Sequence, residues 1–392
     1  MNTLTSPMLE AVLEAVRRVV PARTRPAALH EPEFRGNEWR YLRECLDSGW
    51  VSSAGEFVDR FEQMIVDTTQ ARHAIVVVNG TAALHVCLLL AGVQRGDEVL
   101  VPALTFIATA NSISYVGAVP HFVDSEERSL GVDAGKLEAH LQRTAEVRGG
   151  ICRNKATGAV IRALVPMHTF GHPADLDALV SLCDKWCLRL VEDAAESLGS
   201  LYKGRHTGTY GLVGALSFNG NKVVTSGGGG AILTNDADLA ARAKHLTTTA
   251  RTPHRWSFLH DQVGYNYRLP NINAALGCAQ LERLPDMLAR KRRLAERYIR
   301  AFEGVDGARI AVEPSGTRSN YWLVALLLSR ADLELRDTVL RVLNENGLQA
   351  RPVWTLMHRL PMYESCPRME LSGAESLDAR IVNLPSSPAL AD

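Results

Sequence analysis

Lys222 stands four residues beyond the apolar run Ala215–Phe218 and four before Ser226-Gly227-Gly228-Gly229-Gly230. Only seven of the 43 basic residues are lysines, so this one is set apart from an arginine-rich background. An amine can condense with an aldehyde, whereas a guanidinium cannot. Asp193 follows a second apolar run, Leu188–Val191. A carboxylate there can keep a pyridine nitrogen protonated, which turns the ring into an electron sink. A third run, Ala74–Val78, leads into Asn79-Gly80-Thr81-Ala82. Gly80 permits a tight turn, and the free backbone N–H groups of an opening helix suit a phosphate. Phe106, just after Glu98–Val101, can stack on a flat ring. Each feature alone has a plainer reading: a solvated lysine, a helix cap, a helix start, a core phenylalanine.

The elements around these residues give them a common address. From about 70 to 235, short apolar runs alternate with helical rhythm. Val119–Val123, Ala163–Pro166 and Ala231–Thr234 complete the strand series, and Asp175–Trp186 is the clearest helix. This alternation predicts a mostly parallel central sheet with helices on both faces. Ligands of such sheets gather at the carboxyl ends of the strands. An amine, a carboxylate, an anion cup and an aromatic face, each after a separate strand, form the set that pyridoxal-phosphate (PLP) chemistry requires. After Pro270 the pattern changes: one or two long helices over Asn273–Phe302, a strand in Asn320–Leu328, a helix over Leu335–Asn346 and a short strand at Pro352–Thr355. Residues 8–20 carry Leu9, Val12, Leu13, Val16 and Val20 at helical spacing. The expected division is an N-terminal arm (1–30), a large PLP-binding domain (31–270) and a smaller C-terminal α/β domain (271–392).

Composition narrows the function class. A formal net charge of +0 argues against a protein that binds nucleic acid by neutralising phosphates. Seven scattered cysteines are an odd number for a disulfide framework, and none is placed to complete a zinc site, so no metal is expected. No apolar run approaches the length of a membrane span, and acidic residues interrupt the N-terminal apolar stretch. The expectation is a soluble cytoplasmic protein.

The motifs Asn79–Leu84, Thr105–Asn111, Glu192–Ser200, Ser217–Gly230 and Gly264–Gln280 resemble those of the DegT/StrS-type sugar aminotransferases, which are fold-type I PLP enzymes. Gly36–Trp39 through Gly49–Ser53, Ser217–Lys222, Arg351-Pro352-Val353-Trp354 and Leu356-Met357-His358 are most similar to the LegC branch. The resemblance implies that Lys222 condenses with the PLP aldehyde, Asp193 pairs with the ring nitrogen and Phe106 stacks on the ring. Thr81, the Ala82 backbone and Ser217 would hold the phosphate. Glu196 stands where many members have Gln or His beside the ring oxygen, a place in which a carboxylate would have to be protonated or turned away. Asn266 would reach the phosphate in the neighbouring subunit of a homodimer with shared sites. The implied reaction moves an amino group from L-glutamate to a UDP-2-acetamido-4-keto-6-deoxy hexose. His168, Arg351, Trp354 and His358 are candidates for the sugar substrate, and Arg268 for the subunit interface or the donor carboxylate. Three rivals remain at this point: a PLP-binding sensor without turnover, a PLP-dependent sugar dehydratase (whose members carry His at the lysine position) and a nucleotide-binding α/β protein without PLP.

Overall fold

A computed structural model describes residues 7–392; the first six residues of the expected arm lie outside the described residues. A seven-stranded sheet forms the centre. Its strands are β1 (His73–Val77), β2 (Glu98–Pro102), β3 (Val119–Val123), β4 (Ile161–Leu164), β5 (Arg189–Asp193), β6 (Val213–Ser217) and β7 (Gly230–Thr234). They lie in the order β1-β7-β6-β5-β4-β2-β3. The pairs from β6 through β3 are parallel, as the alternating pattern predicts. β7 runs antiparallel to both β1 and β6. The cause is local: the segment between β6 and β7 holds no helix to carry the chain back for a parallel crossover.

That reversal matters for the site. It brings the end of β1, the end of β6 and the start of β7 together, with Val77 and Ser217 both opposite Gly230. A Cβ on Gly230 would sit 2.5 Å from the Asn79 carbonyl carbon, so only glycine fits. The helix after β1, α1 (Gly80–Leu90), is apolar on almost every side and buried along most of its length. Such a helix is a core element rather than a surface one.

Among the described residues two hydrophobic cores form. The first surrounds the large sheet and takes in Ala274, Ala275 and Cys278 of helix α2 (Asn271–Glu282). The second surrounds a four-stranded sheet whose members include β8 (Val324–Leu328) and β9 (Ile381–Leu384). Helix α3 (Leu284–Ala301) contributes Leu294 and Tyr298 to it. The stretch Asn273–Phe302 is thus two helices that meet at Arg283; α3 begins in the first core with Leu284 and Met287 and enters the second at Leu294. The amphipathic segment near the start is the helix Pro7–Val19, and Leu9, Val12 and Val16 from its apolar side are buried in the second core. No helix among the described residues is long and apolar enough to cross a membrane.

Candidate active site

The end of β1 is shaped by Asn79, whose Oδ1 accepts the Ala82 N–H at 2.8 Å and caps α1. The Ala82 N–H is therefore committed to the cap. The ladder of the helix begins with the Ala83 N–H donating to the Asn79 carbonyl, and Gly80 and Thr81 open the first turn, where N–H groups point outward. Ser217 stands directly beside them, because a Cβ on Gly80 would lie 2.9 Å from the Ser217 Cβ. Two opening amides, two hydroxyls and a glycine-only approach make an anion cradle.

Asp193, at the end of β5, is 2% exposed. Its Oδ2 accepts the Thr109 hydroxyl at 2.7 Å and its Oδ1 accepts the Ala195 N–H at 3.1 Å. Turns, not a helix, follow it, so the helix-cap reading of Asp193 does not apply. Burial raises its carboxyl above the ordinary range, and the Thr109 and Ala195 hydrogen bonds, with Lys222 nearby, pull the other way. Among the described residues both hydrogen-bond donors to this carboxylate are neutral, so neither Asp193 oxygen is in a direct ion pair.

Lys222 reaches back towards β5. Its Nζ lies 3.2 Å from Glu196 Oε1 and 3.8 Å from the centre of the Trp322 ring. Glu196 Oε2 accepts the Phe170 N–H at 3.0 Å. Glu196 is 3% exposed, and burial pushes its carboxyl up to about 7 against the pull of Lys222. Phe106 is 46% exposed, which overturns the core-packing reading, and its ring meets Trp354 edge-on at 6.1 Å.

These residues line one cavity of about 310 Å³, with Thr81, Phe106, Asp193, Ser217 and Lys222 on its walls. A second cavity, about 390 Å³, shares Asn221, Trp322 and Trp354 with it and adds His30, Arg351 and Asn383. Arg351 and Trp354 therefore stand where a second reactant would border the first site. His168 does not. It is fully buried, with Nε2 3.0 Å from Glu192 Oε2 and Nδ1 accepting the Ala174 N–H. Glu192 in turn accepts amides from Gly208, Tyr210 and Gly211. Burial alone would raise the Glu192 carboxyl, and His168 with these amides holds it lower. His168 is thus a core residue. His358 lines neither cavity, and its Nε2 faces Glu375 at 3.6 Å. Asn266 is exposed and pairs through its backbone with Thr248, and Arg268 lines a surface cleft beside Arg251 and Arg255.

Sequence reasoning missed Trp322, Met167, His30 and Asn320. Asn320 braces the turn after β5 by donating to the carbonyls of Glu196 and Leu198. Thr109, in the helix Ile107–Tyr115, follows Thr105 of the preceding bend by four, and their hydroxyls lie 2.9 Å apart. The set fits PLP. The cradle suits its phosphate, Asp193 suits its protonated nitrogen, and Lys222 suits its aldehyde.

Comparison with known proteins agrees. The GDP-perosamine synthase of Escherichia coli O157:H7 is 37% identical over 93% of this chain and 94% of its own. A Bacillus subtilis protein named as a pyridoxal phosphate-dependent aminotransferase, EpsN, is 38% identical over 86% of this chain and 83% of its own. Among solved structures, the aminotransferase TlmJ from Streptoalloteichus hindustanus superposes with a TM-score of 0.84 at 29% identity, covering 93% of this chain and 95% of that one. DesI, solved with its TDP-sugar product, gives 0.80 at 29% identity, covering 92% and 88%. The model of the DegT/DnrJ/EryC1/StrS aminotransferase family matches residues 32–392, and the chain belongs to that PLP-dependent family.

Proposed function

We propose that the protein moves an amino group from L-glutamate to the keto carbon of a nucleotide-linked 4-keto-6-deoxy sugar. The observation that carries this reading is the convergence of Lys222, Asp193 and the Gly80/Thr81/Ser217 cradle on one cavity that opens against a second, aromatic-walled one. PLP, when bound, supplies the electron sink that makes a proton on the donor's α-carbon removable. Asp193 holds the proton on the ring nitrogen, and Thr109 fixes the carboxylate for that task. Lys222 Nζ takes the proton from the donor's α-carbon and later returns one to the acceptor's former keto carbon, as base and then acid. Phe106 covers one face of the ring. Trp322 and Trp354 wall the acceptor's side, and Arg351 faces its charged nucleotide portion.

Two nucleotides have specific support. The LegC-like motifs favour a UDP-2-acetamido-4-keto hexose. The relatedness to GDP-perosamine synthases favours a GDP-linked sugar. The active unit is a homodimer in which Asn266, exposed in the single chain, reaches the partner's phosphate cradle. Buried free thiols such as Cys87 and Cys278 suit a reducing, cytoplasmic setting. The test offers glutamate with UDP- and GDP-linked 4-keto sugars and identifies products by mass and NMR. Glutamate should convert the loaded protein to its pyridoxamine spectrum, and one keto sugar should return it. A protein that binds PLP but never responds to glutamate is a sensor, and the proposal is then wrong.

A further inference from the structure

Lys222 meets a difficulty that the reading above leaves open. Its nitrogen can bond to an aldehyde carbon only as a neutral amine, so a proton on it must first pass to a neighbouring acceptor. The Trp322 ring face lies 3.8 Å from Nζ, and Asp193 lines the same cavity. Only one acidic side chain is in hydrogen-bonding reach of Nζ among the described contacts, and that is Glu196 at 3.2 Å. Glu196 is held in place from the other side by the Phe170 N–H, and its own carbonyl is tied by Asn320. It is therefore a fixed carboxyl, buried, with one oxygen free to exchange a proton with Lys222.

We propose that Glu196 is the proton acceptor and donor for Lys222 when that lysine captures the aldehyde cofactor. The inference rests on the reading that Lys222 is the capturing lysine. In the first step one proton passes from the Lys222 ammonium to a Glu196 oxygen, leaving a neutral amine and a neutral acid. The amine's electron pair then forms a bond to the aldehyde carbon. The carbon–oxygen bond breaks, and the oxygen leaves as water with two protons, one given up by the attacking nitrogen and one returned by Glu196. The nitrogen keeps one hydrogen and a positive charge, and Glu196 ends as the carboxylate beside it. One water is lost overall, and no other reactant is needed.

The charged and titratable groups around the pair set the pH behaviour. Asp193 faces Glu196 from the end of β5, and Lys222 faces it from the loop after β6. His30 is near Lys222 from the second cavity. Burial, the largest influence, places the Glu196 carboxyl at about 7. Below that, Glu196 already holds its proton and cannot take another, so capture by the apo-protein should rise with pH through about 7.

The experiment mixes apo-protein with PLP and follows the visible band, with borohydride and mass spectrometry locating the adduct at Lys222, over a pH series. Glu196→Gln keeps the shape and can still accept the Phe170 N–H, but it cannot exchange the proton. We expect it to capture at least about tenfold more slowly at pH 7.5 and to lose the inflection near 7, in keeping with the size of general acid–base effects. Glu196→Asp should restore the inflection in part. Equilibrium PLP affinity, read separately by fluorescence, reports whether the Gln variant is folded and loaded. A Gln variant with the wild-type rate and pH profile, or a slowing with the inflection retained, overturns the proposal. Failure of the wild type to form any adduct on Lys222 overturns instead the reading on which it rests.

Discussion

Thr109→Val tests whether Asp193 works as the site requires. The substitution is nearly isosteric and removes only the hydroxyl that donates to Asp193 Oδ2 at 2.7 Å. Hydrogen bonds to charged groups contribute about 1.5–3 kcal/mol. If the whole of that is felt in the transition state, where Asp193 must balance the ring nitrogen's proton, the rate falls about 10- to 150-fold. Asp193 would retain the Ala195 N–H at 3.1 Å, so the effect should stay below that of removing the carboxylate. The sign of the pH effect follows from the same bond. The hydroxyl pulls the Asp193 carboxyl down against burial, so without it the carboxyl rises further. The acid limb of the activity profile should then move to higher pH. Single-turnover conversion with glutamate, followed by absorbance between pH 5 and 9, reads both quantities. Thr109→Ser keeps the donor and should behave as wild type. A valine variant within twofold of wild type, with an unmoved acid limb, would refute the role given to this bond.

Three other outcomes are expected. Asp193→Asn should lose most of the glutamate half-reaction yet raise the melting temperature of the apo-protein at pH 7. Burial raises the folded-state carboxyl, so its ionisation costs stability as pH climbs through the ordinary carboxylate range and beyond, and the amide escapes that cost; a variant that melts lower would contradict this. His168→Ala should leave glutamate turnover per folded molecule within a fewfold of wild type while costing about 3–5 kcal/mol in urea unfolding, because Glu192 loses a buried partner. Gly230→Ala should cost about 1–3 kcal/mol and weaken PLP binding, since the new methyl would press into the Asn79 carbonyl carbon and push β1 off the cradle; unaltered PLP affinity would count against the cradle.

How far the site could be read from the chain depends on which segment supplies each residue. Lys222, Asp193, Thr81 and Phe106 all follow strands of one sheet, and strand ends leave a local trace in the chain. His168 carries the same trace and is misplaced by it. The reason is alternation: Met167, one residue earlier, lines the cavity, and the next side chain must point to the other side. Glu192 and Asp193 divide in the same way, the first towards His168 and the second towards the cavity. A period of two applied to strand ends would have separated these pairs. Trp322 and His30 leave no such trace. They come from the segment just before β8 and from the segment after the first helix, and only tertiary packing brings them to Lys222. The reversal of β7 was equally hidden, since an apolar strand reads alike in both directions.

The helix Pro7–Val19 has a consequence for how the molecule is made. Arg18 in that helix donates to the carbonyl of Ala301, 283 residues further on. At about 5–20 residues per second, the ribosome needs roughly 15–60 s to deliver that partner. Throughout that interval Leu9, Val12 and Val16 lack most of the second core that covers them. A nascent chain stalled before Ala301 should accordingly be a good client for a chaperone, and one stalled with the second sheet fully extruded a poor one.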